Sequence, residues 1–235
     1  MLKDFILDIF FPRFCFGCQK EGEYLCQDCR ATLDFTKDFY CLCEEPKIVA
    51  VPGKCPDCKD KNLAGLYFPF SYQDPLVKNL ICYFKYEPFL KDLAKLLGDC
   101  LRDYFFLLEE KPDFSGFLVL PLPLDKARLK WRGFNQAKEV AKYFCQDFNL
   151  EIREDILFKV KRTKPQMELA KKERLENIKG AFLVKNKEVV QNRQVLLIDD
   201  VYTTGSTMEE AARVLKEVNA KEVWGLVLAR EKIKK

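Results

Sequence analysis

A chain of 235 residues has room for one ordinary α/β domain and a small appendage. Hydrophobic residues make up 48% of it, enough for a substantial core, and a net charge of +4 is too small to point by itself to a nucleic-acid partner. Eleven cysteines accompany no histidine at all, so any metal site of tetrahedral type is expected to be built from thiolates.

In chain order, Leu2, Phe5, Ile6, Ile9 and Phe10 fall at helical spacing and Pro12 ends the run. Asp4 and Asp8 interrupt the apolar stretch and no small-residue cleavage site follows, which predicts a short amphipathic helix packed on the protein, not an export signal. No segment reaches the roughly 20 apolar residues of a membrane span. A cytoplasmic, reducing compartment is expected, and there clustered cysteines bind metal.

Residues 15–58 carry four cysteine pairs: Cys15-x-x-Cys18, Cys26-x-x-Cys29, Cys41-x-Cys43 and Cys55-x-x-Cys58. A C-x-x-C turn sets two thiolates on one side of a zinc ion, and a second pair completes the tetrahedron. Gly17 and Gly22 relieve the backbone at the first pair, while Pro52, Gly53 and Pro56 shape the turn at the last. Pairing one with two and three with four is the simplest arrangement. A crossed pairing, or one zinc with a degenerate second site, is also open, since Cys41-Leu42-Cys43 has one intervening residue where the usual knuckle has two. A closed four-thiolate site offers no open coordination position, so the role expected is structural. Cys82, Cys100 and Cys145 are isolated and read as small buried residues.

Lys59-Asp60-Lys61-Asn62 is a polar linker that places a boundary at residue 62, between a cysteine-rich module (1–62) and a larger domain (63–235). That domain is predicted to run strand Leu66–Tyr72, helix Pro75–Lys85, helix Pro88–Leu108, strand Phe117–Leu122, helix Asn135–Phe148, strand Ile156–Val160, a basic stretch Lys161–Lys179, strand Val195–Ile198, helix Thr207–Val218 and strand Val223–Ala229. Strands alternating with helices imply a parallel sheet covered on both faces.

The chemistry concentrates at Val195–Thr207. A buried strand ends in Asp199 and Asp200, and Thr203, Thr204, Gly205, Ser206 and Thr207 then open a helix. Ligands of open α/β sheets sit at the carboxyl ends of strands, and a helix N-terminus offers free N–H groups to a phosphate. Adjacent carboxylates suit the other half of such a ligand, accepting from vicinal ribose hydroxyls. Phosphate donors beside ribose acceptors describe a ribose 5-phosphate site. Neither a G-x-x-x-x-G-K-[ST] loop nor a G-x-G-x-x-G fingerprint is present.

Ile198–Thr207 resembles the 5-phosphoribosyl-1-pyrophosphate (PRPP) motif of type I phosphoribosyltransferases. With the cysteine pairs, Phe84-Lys85, Arg132-Gly133-Phe134-Asn135-Gln136 and the segment Thr163-x-Pro165-Gln166 through Leu169, Arg174 and Asn177 to Phe182, the chain resembles the ComF family of late competence proteins. The resemblance implies a type I phosphoribosyltransferase-like sheet preceded by a zinc-ribbon-like module. It implies that Asp199 and Asp200 hold the ribose hydroxyls, that Thr203–Thr207 hold the 5-phosphate, and that Leu120–Arg132 meets pyrophosphate and Mg²⁺, with Arg132 in contact. Lys161–Arg174 would then be the loop that closes over an oxocarbenium-like state. Thr203 stands where oxopurine transferases usually carry an acid, which turns the reading away from purine salvage.

Three functions compete. The resemblance favours a PRPP-dependent protein of natural transformation that handles incoming single-stranded DNA. A binding module is the second, in which cations and aromatics of Phe14-Cys15-Phe16 and Lys130–Phe134 contact single strands or a helicase-like partner. Nucleotide salvage is the third, and no base-binding motif supports it.

Overall fold

The computed structural model describes residues 12–161 and 178–233. The cysteine-rich part holds a short helix α1 (Gln27–Ala31) and a two-residue hairpin, β1 (Phe39–Tyr40) antiparallel to β2 (Ile48–Val49). The larger part contains β3 (Gly65–Tyr67), β4 (Phe70–Ser71), α2 (Pro75–Lys85), α3 (Leu93–Leu107), β5 (Leu118–Pro121), α4 (Lys126–Arg132) and α5 (Gln136–Phe148). After these come β6 (Glu151–Ile152), β7 (Leu157–Lys159), β8 (Phe182–Val184), β9 (Gln194–Tyr202), α6 (Ser206–Glu217) and β10 (Glu222–Arg230).

Six strands form one parallel sheet in the order β3-β10-β9-β5-β6, with β4 following β3 along the same edge of β10. Its centre is apolar on both faces, as a sheet covered on both sides demands: Val195, Leu196, Leu197 and Ile198 are all fully buried. Alternate residues of β9 feed two separate cores. Leu196 and Ile198 join Ile81, Phe84, Leu97, Leu101, Phe105 and Phe144 from α2, α3 and α5. On the other face, Val195 and Leu197 join Ala211, Leu215, Phe182 and Val184 from α6 and β8.

Helix ends follow their capping residues. Asp74 accepts from the amides of Leu76 and Val77 at 2.8 and 3.1 Å, and Pro75 sits at the first helical position, which starts α2 where its sequence predicts. Asn135 caps α5 by accepting from the Ala137 amide at 3.1 Å.

The cysteine-rich segment wraps an edge of this sheet. Cys15, Leu25, Cys26 and Leu33 belong to the first core, whereas Tyr40, Cys41, Leu42 and Cys58 belong to the second.

Several predicted elements change. The strand expected at Ile156–Val160 is not in the main sheet; β7 pairs antiparallel with β8 in a separate ribbon, because β6 has already taken the place beside β5. The segment Leu66–Tyr72 is broken into β3 and β4 at Phe68-Pro69. The helix expected from Pro88 begins at Leu93, after Phe89 takes a left-handed φ of 55° that no helix accommodates. Helix α4 was not predicted, although its signals are present: Asp125 accepts from the Arg128 amide at 3.1 Å, and Gly133 closes the last turn. The N-terminal helix expected over Leu2–Phe10 and the basic stretch from residue 162 to 177 lie outside the described residues.

Candidate functional site

The site arises from unequal strand lengths. Pairing of β5 with β9 ends at Pro121 opposite Ile198, whereas β9 continues beside β10 until Tyr202 opposite Arg230. From Asp199 onward β9 therefore has one open edge, at the carboxyl end of the sheet. This is a correction to the predicted strand, which stopped at Ile198: the acidic pair lies within β9, and backbone pairing on one side fixes it.

Successive residues of a strand face opposite ways, and the two carboxylates meet different surroundings. Asp200 is 7% exposed and accepts from Lys85 Nζ at 2.8 Å. Asp199 Oδ1 accepts from the Asp200 amide at 2.8 Å. Burial, then repulsion from Asp200, pushes Asp199 up to about 7, against the pull of Lys85, the Asp200 amide and Lys159. Burial works to lower the pKa of Lys85, but attraction to Asp200 and then Asp199 outweighs it and holds the ammonium above its ordinary value.

Past Tyr202 the chain turns through Thr203 and Thr204 into α6. Gly205 makes the turn with a φ of 77°, and a Cβ there would lie 2.1 Å from the Tyr202 hydroxyl, so only glycine fits. Thr204 Oγ1 and Ser206 Oγ are 3.1 Å apart, and the Ser206 amide donates to Thr204 Oγ1 at 3.4 Å. Ser206 opens α6, so the hydroxyls of the turn and the first-turn amides of a twelve-residue helix gather at one point.

Helix α4 brings a third element. Its residues split by face: Lys126, Lys130 and Trp131 are exposed, whereas Arg128 is half-buried and Arg132 buried. Arg132 Nη1 donates to Gln136 Oε1 at 3.0 Å, and Gln136 Nε2 in turn donates to the Phe84 carbonyl at 3.4 Å. Phe134 packs on the Phe84 ring at 5.5 Å, and Asn135 Nδ2 donates to the Leu122 carbonyl at 2.9 Å. The R-G-F-N-Q run thus bolts α4, α5, the end of β5 and the end of α2 together. Burial lowers the pKa of Arg132, partly offset by Asp200, and leaves its Nε without a partner among the described residues. Lys159 feels burial first, then Arg128, both lowering its pKa, with Asp125 and Asp199 opposing. Four cations, Lys85, Arg128, Arg132 and Lys159, thereby surround three carboxylates, Asp125, Asp199 and Asp200. The small excess of positive charge favours an anionic ligand.

Both cysteine groups are assembled as the sequence pairs them. Cys15, Cys18, Cys26 and Cys29 form one tetrad and Cys41, Cys43, Cys55 and Cys58 another, with the sulfurs of each within 4.8 Å of one another. Cys18 and Cys26 sulfurs are 3.6 Å apart and those of Cys43 and Cys55 3.5 Å. Tetrahedral thiolates at about 2.3 Å from zinc stand roughly 3.8 Å apart, so these spacings fit a metal and are far too long for disulfides. Amides point at the sulfurs: Cys26 N to Cys15, Lys47 N to Cys41 and Cys55 N to Cys58, at 3.3, 3.2 and 3.3 Å. Burial raises the Cys15 thiol, but amides of Cys18, Cys26 and Gly17 more than offset it and bring it to about 6. Each tetrad can hold one metal ion. Of the three isolated cysteines, Cys100 and Cys145 are buried and Cys82 is half-buried.

Comparison with known proteins agrees with this architecture. Residues 129–235 match the phosphoribosyl transferase domain family. Over 228 residues the chain is 31% identical to competence protein F of Haemophilus influenzae, covering 92% of this chain and 90% of that one. The chain belongs to the ComF family. Within it, competence protein ComFC of Bacillus subtilis is 30% identical over 207 residues, 84% of this chain and 80% of that protein. The DNA utilization protein YhgH of Escherichia coli (strain K12) is 31% identical over 110 residues, 46% of this chain and 48% of that protein.

For this ComF-family chain the structure gathers Asp199, Asp200, Arg132 and Thr203–Thr207 at one end of the sheet. Lys126 and Lys130 face solvent, whereas Arg132 is buried. Lys85 and Asp125 are candidate site residues to which the sequence assigns no individual role. Lys85 had a signal, since it ends a helix in a segment that resembles the family's, but its partner is 115 residues away. Among the described residues no helix is long and apolar enough to cross a membrane.

Proposed function

We propose that this protein binds PRPP, or another ribose 5-phosphate ligand, at the carboxyl end of β9, and that it serves DNA uptake in natural transformation by handling incoming single-stranded DNA in the cytoplasm. The observation that carries the ligand reading is the open edge of β9, where two carboxylates are followed at once by a hydroxyl turn and a helix start. In this reading Asp199 and Asp200 accept from the ribose hydroxyls, and Thr203, Thr204, Gly205, Ser206 and Thr207 receive the 5-phosphate. Arg132, Lys85 and Lys159 supply positive charge toward pyrophosphate, which arrives with Mg²⁺. Transfer of the phosphoribosyl group to an acceptor would follow the same placement, with cations stabilising the departing pyrophosphate. The two thiolate tetrads hold zinc in structural roles, and the segment up to residue 62 acts as an N-terminal appendage to the phosphoribosyltransferase-like domain.

Calorimetric titration of PRPP with Mg²⁺ tests the pocket. Wild-type protein is expected to bind, ribose 5-phosphate more weakly than PRPP, and Asp199→Asn with Asp200→Asn to lose affinity by more than tenfold. Charge-assisted hydrogen bonds contribute about 1.5–3 kcal/mol each, so unchanged affinity in the double variant would refute the assignment. Pyrophosphate release across a panel of acceptors then separates an enzyme from a binder.

A second reading, a nucleic-acid or protein-binding module with a PRPP-type pocket, is favoured by one surface. Trp131 is 54% exposed, stands edge-on to Phe89 at 5.0 Å and lies 5.9 Å from the Arg132 guanidinium, on a helix that also carries the exposed Lys126 and Lys130. An outward aromatic among cations suits stacking on single strands. Salt-dependent oligonucleotide binding that Trp131→Ala and Lys130→Ala both weaken, in protein that turns over no acceptor, would select this reading.

A further inference from the structure

The phosphate loop is not held by the larger domain alone. Arg230, the last residue of β10, is 1% exposed, and its guanidinium donates to the carbonyls of Cys41 and Cys43, both at 2.8 Å. These two carbonyls belong to the tightest of the four cysteine turns. The same guanidinium lies 5.2 Å from the centre of the Tyr202 ring and 5.6 Å from that of Phe68. Tyr202 is the cross-strand neighbour of Arg230 and the residue that ends β9. Its hydroxyl is buried without a hydrogen-bond partner among the described residues, and it fills the space where any side chain on Gly205 would sit. One continuous stack therefore runs from the Cys41–Cys43 turn through Arg230 and Tyr202 to the glycine of the phosphate loop.

A second link runs in parallel. Glu209, in the first turn of α6, accepts from the backbone and side-chain nitrogens of Asn62 and, at 3.3 Å, from the Leu63 amide. The chain leaving the second tetrad is thus tied to the helix whose N-terminus opens at the loop. Burying an arginine is costly unless its donors are satisfied, and here the groups that satisfy it are the backbone carbonyls of two metal-ligand residues. A metal ion that fixes the Cys41–Cys43 turn also fixes those carbonyls, and through them the stack.

We propose that Arg230 and Tyr202 are positioning residues that set the phosphate loop against the Cys41–Cys58 tetrad, so that loss of that tetrad loosens the loop and weakens ribose-phosphate binding. The binding half rests on the ribose-phosphate reading of the site; the loop half does not.

Hydrogen exchange of the full-length, metal-loaded protein tests the loop half without any ligand. In Cys43→Ser, amides of Thr203–Glu209 should exchange at least tenfold faster, while those of Leu118–Leu120 in β5 keep their protection. Arg230→Lys, which retains the charge but not both carbonyl contacts, should do the same with its metal content unchanged, a result that simple metal loss would not give. The Cys43→Ser, Arg230→Lys double variant should be no worse than the more affected single one, because both act along one route. Ribose 5-phosphate affinity, measured by calorimetry, should fall in the same order. Unchanged exchange over Thr203–Glu209 in Arg230→Lys, or fully additive effects in the double variant, would overturn the coupling. Wild-type protein that shows coupled exchange but binds no ribose 5-phosphate would instead sink the reading of the site and leave the coupling standing.

Discussion

The two cysteine tetrads share a ligand set and differ in what they support. The Cys15–Cys29 tetrad lies against the first core, and its helix α1 is tied down by an ion pair of Arg30 with Asp103 at 2.5 Å, both side chains about one-third exposed. Aromatic packing of Phe16 on Tyr83, at 4.5 Å, holds its other side. The Cys41–Cys58 tetrad joins the opposite core and is fastened by a fully buried guanidinium to the end of β10, beside the end of β9 that carries the acidic pair. Both tetrads thus have buried cysteines, but the polar tie of the first is part-exposed and that of the second is buried, so water screens the two to different degrees.

The largest expected effect breaks a tetrad at its buried end. Cys15 and Cys41 are both fully buried, so either Ser variant should lose several kcal/mol of stability, and Cys18→Ser, at an exposed position, distinctly less. Thermal unfolding alongside elemental analysis measures all three, and ribose 5-phosphate affinity separates the tetrads: a Cys15→Ser variant that lowered it as far as Cys41→Ser does would erase the contrast. Glycine substitutions sharpen it further. A Cβ on Gly205 would collide with Tyr202 at 2.1 Å, and one on Gly17 with the Cys29 sulfur at 2.6 Å. Gly205→Ala should cost about 1–3 kcal/mol through left-handed strain and displace the phosphate loop, lowering ribose 5-phosphate affinity more than tenfold with metal retained. Gly17→Ala should do the reverse, releasing metal from the first tetrad and leaving the ligand site intact.

A smaller effect depends on pH. The folded-state pKa of Asp199, at about 7, stands above its ordinary 3.8, because burial and Asp200 disfavour the charged form. Its protonated form therefore supports the fold fully below about pH 4, and that support drains away as pH rises to about 7. Asp199→Asn removes the penalty, so its gain in melting temperature should be largest at pH 7.5 and above and vanish toward pH 3.5. A melting profile for Asp199→Asn parallel to wild type across this range would contradict that account.

The sequence made the hydroxyl turn after β9 and the thiolate pairs legible because their residues are contiguous or closely spaced. Residues that depend on tertiary approach were not: Arg230 reads as the polar end of an apolar strand, and its partners at Cys41 and Cys43 lie 189 and 187 residues away. Lys85 reads only as the end of an amphipathic helix, for the same reason. Helix α4 escapes the sequence reading although Asp125 and Gly133 bound it, because Pro121 and Pro123 just before it and its own cations suggest a loop. Strand β7 was placed in the parallel sheet since a short apolar run carries no mark of which neighbour it takes; the two-residue β6, itself too short to be read, had already occupied the edge.

The smallest expected effect belongs to the ion pair that anchors the first tetrad. Arg30 and Asp103 are each 32% exposed, and Arg102 also donates to Asp103 at 3.2 Å, so the carboxylate keeps a partner if Arg30 is lost. Water and salt screen a pair in that position, and its coupling should be about 0.2–1 kcal/mol in a double-mutant cycle of Arg30→Ala and Asp103→Ala. Because the Debye length shortens from about 10 Å at 0.1 M salt to about 3 Å at 1 M, the coupling should shrink toward zero in high salt. Ribose 5-phosphate affinity should stay within twofold throughout, since this part-exposed pair joins α1 to α3, whereas Arg230 sits beside the end of β9. A coupling that survived 1 M salt, or one that moved ligand affinity, would show the first tetrad to be fastened as centrally as the second.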